Sequence, residues 1–132
     1  MFKNLKVLEL SSVLAGPAVG MFFSELGAQV VKVENKTTKG DVTRKWKLPN
    51  EKKSDLSAYF CSVNYNKNYV FLDFNNPKDK AELEVLIKNC DVVITNFKWK
   101  DAAKFSLEFE DCKKINPNSK AKSEYCGATS HN

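Results

Sequence analysis

Histidine is almost missing from this sequence: the chain has one, His131, beside its carboxyl end. A Ser–His–Asp triad needs an imidazole held firmly between its partners, and none is on offer. Cysteine is sparse and spread. Cys61, Cys90, Cys112 and Cys126 form no C-x-x-C pair, which argues against a zinc site or a disulfide scaffold and fits a reducing cytoplasm. Glycine is scarce as well, with five in 132 residues. No G-x-G-x-x-G follows the first strand and there is no P-loop; bulky Val13-Leu14 fills the turn where a dinucleotide pyrophosphate would approach, so NAD is a poor fit. No apolar run nears the roughly 20 residues that cross a bilayer. Lys3 and Lys6 run at once into an alternating strand pattern, so no signal peptide is expected and no membrane partner either.

What is present is a normal globular balance. Hydrophobic residues make up 42% and charged residues 28% of 132, enough for one domain and one core. The net charge is +5, from 21 Lys+Arg against 16 Asp+Glu. The basic residues are almost all lysine and are scattered. That balance suits an anionic ligand without calling for nucleic acid.

The pattern alternates strand and helix. Lys6–Leu10 reads as a strand, and Ala15-Gly16-Pro17 turns the chain into a helix with apolar Met21, Phe22 and Leu26 and a C-cap at Gly27. Gln29–Glu34 is a second strand, and residues 35–58 read as a long polar excursion of the kind that is functional or mobile. Tyr69–Phe74 is a third strand. Asn76 caps a helix from Pro77 that buries Leu83, Leu86 and Ile87, and Asp91–Thr95 is a fourth strand. A helical stretch over Asp101–Ile115 ends at Asn116-Pro117. Repeated strand–helix–strand units predict an α/β fold with a doubly wound, mostly parallel sheet, Rossmann-like. After Pro117 the pattern asks for another apolar strand. Residues 118–132 are polar instead, cannot sit in the centre of a parallel sheet, and are expected to form a frayed tail.

Ligands of open α/β sheets bind at the carboxyl ends of the strands. Ser11–Pro17, Glu34–Asp41 and Thr95–Lys98 occupy that edge. Backbone N–H groups near Gly16 and Ala18 are candidates for an anion, against the plainer reading of a tight turn. Glu34 follows Gly16 by eighteen residues, the spacing of a ribose-binding acid, but lacks the glycines that would go with it. Asp41 and Arg44 read as a surface ion pair or a helix-start pair. Asn64, Asn66 and Lys67 read as a turn. Trp46 and Trp99 could stack on an adenine, although packing is the commoner use.

A set of ordered motifs carries a resemblance. Val7-Leu8-Glu9-Leu10 running into Leu14-Ala15-Gly16-Pro17, Leu26-Gly27-Ala28 with Val30-Val31-Lys32-Val33-Glu34, and Gly40-Asp41 with Arg44 form its first half. Tyr59-Phe60, Asn64-Tyr65-Asn66-Lys67, Leu72-Asp73, Asp91–Phe97 and Asn116-Pro117 complete it. Together they resemble the amino-terminal part of the class III CoA-transferases (CaiB/BaiF type, formyl-CoA transferase-like) over about residues 5–117. Residues 1–117 are then a CoA-binding amino-terminal region, and 118–132 the tail.

The resemblance implies an enzyme that moves coenzyme A between carboxylic acids. In the family an aspartate attacks the acyl-CoA thioester, a mixed anhydride forms, and CoA thiolate then gives an aspartyl-CoA thioester. Acyl-CoA and a carboxylic acid are the implied partners, with no metal or covalent cofactor, and full-length members are interlocked homodimers. Carried over by position, CoA meets Leu14 and Ala15, Asn35, Leu72, Asp73, Phe74 and Asn75, then Asn96, Phe97, Lys98 and Lys104. Several positions depart from the family: Asn35 and Lys104 stand where arginines are common, Asn68 where a basic residue is, and Ser106 where a glycine is. No aspartate here matches the family nucleophile, because Asp41, Asp73, Asp91 and Asp101 match other positions. No catalytic residue is therefore assigned, and the chain alone is expected to be inactive. The other reading is a non-catalytic α/β module that binds a nucleotide or a partner.

Overall fold

The computed structural model describes residues 1–53 and 56–123. They form a five-stranded sheet in the order β3-β2-β1-β4-β5, every neighbouring pair parallel. The strands are β1 (Lys6–Leu10), β2 (Gln29–Asn35), β3 (Asn68–Leu72), β4 (Val92–Thr95) and β5 (Lys120–Ser123). The helices are α1 (Ala15–Glu25), α2 (Ala58–Asn64), α3 (Pro77–Lys88), α4 (Trp99–Phe105) and α5 (Phe109–Ile115). The α/β doubly wound expectation holds. The chain leaves β1 toward one side of the sheet and β3 toward the other, so right-handed crossovers put α1 and α2 on one face and α3 to α5 on the opposite one. Packing agrees: α1 touches α2, and α3 touches α5.

Strand alternation sorts side chains between those faces. Leu8, Leu10, Val33 and Val93 meet Leu83, Ile87, Leu107 and Cys112 in the larger apolar core under α3 and α5. Val7, Val30 and Ile94 make a smaller cluster with Ala28 on the α1 face. That second cluster is short of apolar residues because Glu9 and Lys32 take the next positions along β1 and β2, both fully buried.

Helix ends follow local chemistry. Gly27, at φ +94°, closes α1 as a Schellman motif: its N–H reaches Ser24 O at 3.0 Å and the Ala28 N–H reaches Phe23 O at 2.9 Å. The Asn76 side chain accepts from Lys78 N at 2.9 Å and starts α3. Asn116 is buried, and its amide donates to Ile87 O at 2.9 Å and Cys90 O at 2.8 Å. It thereby satisfies carbonyls that the end of α3 leaves open.

Three expectations change. The predicted helix over 101–115 is two helices, because Ser106 sits in the left-handed region at φ 55°, ψ 48° and closes α4. The polar excursion contains a 3-10 turn, Val42–Lys45, and ends at α2, whose N-cap Ser57 hydroxyl accepts from Phe60 N at 3.0 Å. The polar stretch after Pro117 is not wholly a tail: Lys120–Ser123 is strand β5, paired with β4. It lies at the edge of the sheet, where the exclusion of polar residues from a central parallel strand does not apply. Residues 124–132, with Cys126 and His131, lie outside the described residues.

A serine in the left-handed region is strained where glycine is not. Ser106→Gly should raise stability by about 0.5–1 kcal/mol, read as a higher midpoint in thermal or urea unfolding.

Candidate functional site

Parallel register sets the strand ends side by side. Asn35 pairs with Leu72 and Leu10 with Thr95, so the segments after β1, β2, β3 and β4 share one carboxyl edge. Leu14 and Ala15 are exposed at the start of α1. Asn35 ends β2, with its side-chain oxygen accepting from Thr37 N at 2.9 Å and Thr37 Oγ1 at 2.7 Å. Leu72 and Phe74 have buried side chains that belong to the α3-side core. That segment can offer a ligand its backbone and the exposed Asn75. The Asp73 carboxylate accepts Asn75 N at 2.9 Å.

Asn96 staples the edge across β1 and β4. It accepts from Ser12 N at 3.0 Å and donates to Ser12 O at 2.7 Å. Phe97 packs edge-on to Phe74 with centroids 6.1 Å apart, and Phe105 joins them at 5.2 Å from Phe74. Lys98 is exposed just before α4. Lys104 stands farther off, in the last turn of α4, its ammonium 5.3 Å from the Phe105 ring. Ten of the eleven sequence-derived positions thus lie along the edge, and Lys104 borders its aromatic wall. Of the anion candidates, Gly16 stays and Ala18 gives way to Ala15. The Ala18 N–H is bound to Leu14 O at 2.8 Å and Pro17 has no N–H. The donors at the helix start that lack an intrahelical partner are those of Ala15 and Gly16. Trp46 packs edge-on against Tyr59 at 5.1 Å, and Trp99 is exposed beside Lys100. Two open concavities, of about 450 and 300 Å³, lie elsewhere: one by Phe2 and Asp91, the other between α3 and α5.

Sequence reasoning missed what lies beneath this edge. Glu9, Lys32, Asp41 and Lys67 form a buried ionic network on the α1 face. Lys32 Nζ sits 2.8 Å from Glu9 Oε1, 3.3 Å from Asp41 Oδ2 and 2.7 Å from Ser11 O. Lys67 Nζ spends its donors on Pro17 O and Val63 O, both at 2.8 Å, and on Asn64 Oδ1 at 2.9 Å. It also lies 2.7 Å from Glu9 Oε2, which has no hydrogen-bond partner among the described residues, so that contact is chiefly Coulombic. Gly20 makes room for it: a Cβ there would overlap the Glu9 carboxylate, and one at Gly16 would overlap Ser11. Arg44 does not pair with Asp41, as the sequence suggested. It grips Glu34 through Nε at 2.8 Å and Nη2 at 2.6 Å, while Asp41 is the helix-start residue, accepting from Thr43 N at 3.0 Å. Three acids and three bases balance, which is what lets charge stay inside.

Burial alone would push the Asp41 carboxyl up. The Thr43 N–H and hydroxyl and the Lys32 ammonium outweigh it and hold it below the ordinary aspartate value. Burial also drives the Lys67 ammonium below the usual lysine value, with Glu9 pulling the other way. The Cys90 thiol is pushed up to about 11 by burial and the neighbouring Asp91 charge, so it is inert rather than nucleophilic.

The sequence profile of CoA-transferase family III matches residues 2–118. The chain belongs to that family. It is 37% identical over 130 residues to a succinate–glutarate CoA-transferase of Agrobacterium fabrum, covering 96% of this chain and 31% of that protein. A formyl-CoA:oxalate CoA-transferase of Afipia carboxidovorans is 38% identical over 114 residues, covering 86% and 26%. A crystal structure of a CaiB/BaiF family protein from Brucella suis superposes with a TM-score of 0.83 at 38% identity, over 92% of this chain and 32% of that one. The family III chain therefore spans about a third or less of the length of these relatives.

Two outcomes test the network. Lys67→Met leaves Glu9 Oε2 with no partner, and should destabilise by about 3–5 kcal/mol in chemical denaturation. The folded Asp41 pKa lies below the ordinary aspartate value, so the folded state binds fewer protons there than the unfolded one. Its stabilisation is present above that value and is lost as pH falls through the folded pKa. Unfolding free energies measured across pH 2–6 should fall less steeply on the acid side for Asp41→Asn than for the parent chain.

Proposed function

We propose that this chain provides the coenzyme A half-site of an enzyme that moves CoA between carboxylic acids. The observation that carries the reading is the family match over residues 2–118, with relatives named as CoA-transferases. The common edge along which ten of the eleven candidate positions lie supports it. In this reading the N–H groups of Ala15 and Gly16 and the ammonium groups of Lys98 and Lys104 hold phosphate oxygens. The backbone of Leu72–Asn75, with Asn35 and Asn96, shapes the slot, and Phe97 with its aromatic neighbours offers an apolar wall for adenine. Lysine holds phosphate as a point charge, without the fork of an arginine, so affinity should depend strongly on salt.

In this reading the attacking carboxylate of the family mechanism has no counterpart among the aspartates of residues 1–132. Positioning of the thioester belongs to this chain and covalent catalysis does not. Donor and acceptor acids, an interlocked homodimer and a cytoplasmic setting are part of the same proposal for the whole enzyme.

Isothermal titration of the folded chain with coenzyme A should give micromolar to millimolar binding that weakens as salt rises, with no CoA exchange between an acyl-CoA and a carboxylate. A folded chain that gives no heat with coenzyme A overturns the half-site, and a non-catalytic module for a partner takes its place.

A further inference from the structure

Val13 stands in the turn between β1 and α1 at φ +70°. A β-branched side chain there is a true outlier and stays only where its surroundings hold it. Asn96 holds the preceding residue, Ser12, and Asp41 holds Val13 itself. The Asp41 carboxylate accepts the Val13 N–H, at 3.1 Å to Oδ2 and 3.4 Å to Oδ1. The same carboxylate accepts Thr43 N at 3.0 Å and Thr43 Oγ1 at 2.8 Å, and faces Lys32 Nζ at 3.3 Å. Its own N–H donates to Glu34 Oε2 at 2.7 Å, and Arg44 locks Glu34 in turn. Asp41 is therefore fixed by β2 and by the 3-10 turn before it reaches across to β1. The residues just after the strained one are Leu14 and Ala15, where the exposed start of α1 begins.

We propose that Asp41 is a positioning residue that pins the Val13 turn in its strained form and so presents Leu14, Ala15 and the α1 amino terminus to coenzyme A. The ligand half of this inference rests on the proposed CoA half-site; the pin itself does not. The carboxylate does not touch the ligand. It acts by denying the turn its relaxed, extended alternative. Losing the pin should then be offset by a residue that adopts positive φ without strain, which is a rescue that a merely stabilising carboxylate would not show.

The experiment uses the 132-residue chain as parent, with Asp41→Asn, Val13→Gly and the double variant. Each is measured well below its own unfolding midpoint, by amide hydrogen exchange and by coenzyme A titration. Asp41→Asn should speed exchange over residues 13–16, read at the Val13 amide that Asp41 binds, about tenfold while α3 keeps its protection, and weaken coenzyme A about tenfold, the scale of one charge-assisted hydrogen bond. In the Val13→Gly background the same change should cost less than about threefold. Unchanged exchange at 13–16 overturns the pin. Faster exchange with unaltered coenzyme A affinity overturns the link to the ligand. A parent that binds no coenzyme A, yet opens at 13–16 in Asp41→Asn, keeps the pin and overturns the half-site reading. If Asp41→Asn does not fold, Thr43→Val decides: it removes one donor to Asp41 Oδ1 at near-constant volume. About threefold faster exchange at residues 13–16 supports the pin, and no change overturns it.

Discussion

The Glu9 carboxylate, wholly buried between two lysine ammonium groups beneath Gly20, is the constraint on which the α1 half of the structure depends. A lone carboxylate inside a parallel sheet would be untenable, so both oxygens need cations. Meeting that need fixes much else. Lys32 must point to the same face as Glu9, which the β1–β2 register supplies by pairing the two residues. Lys67 must arrive from beyond α2, and its bonds to Pro17 O and Val63 O tie α2 to α1. The helix crossing above can carry no side chain at Gly20. An uncompensated charge here costs about 3–5 kcal/mol, a large share of a small domain's stability, so the arrangement tolerates little loss.

The two faces of the sheet are thus held by different physics. Under α3 and α5 the contacts are apolar and non-directional, and such cores tolerate substitutions that keep volume. Under α1 the contacts are charged and directional, and they specify one arrangement of α1, α2 and the 40–46 segment. The carboxyl edge lies where the two regimes meet. The pinned Val13 turn borders it from the charged face, and the Phe74–Phe97–Phe105 group borders it from the apolar face.

Much of the fold was legible, and the reason is local. β1, β2, α1 and α3 carry period and cap signals, and Gly27 and Asn76 end and begin helices by chemistry confined to a few residues. α2 escaped because it opens inside a polar stretch and rests on a Ser57 cap. β5 escaped because its polar sequence fits only an edge. The ionic network was invisible to spacing, since residues 9, 32, 41 and 67 meet only through the sheet order. One signal was present: Lys32 interrupts Val30-Val31-Lys32-Val33, a run that should be buried on both faces. The candidate ligand positions came from a family resemblance. Exposed loop residues such as Leu14 and Asn75 carry no periodicity that composition could reveal.

The choice of cations bears on how such an edge would work. The chain has one arginine, Arg44, and spends it on structure. Its guanidinium makes two bonds to Glu34 and lies 4.0 Å from the Phe60 ring centroid, with Tyr69 and Phe71 nearby. A planar fork suits a fixed carboxylate and a fixed ring. The cations left at the proposed ligand edge are lysines, which attract phosphate from a distance but orient it weakly. Under the half-site reading, orientation must then come from groups that cannot swing: the backbone N–H donors at the start of α1 and the aromatic wall. A site that orients by backbone is only as exact as its backbone is rigid. That is a physical reason for a strained turn to be anchored to a buried carboxylate rather than left to solvent.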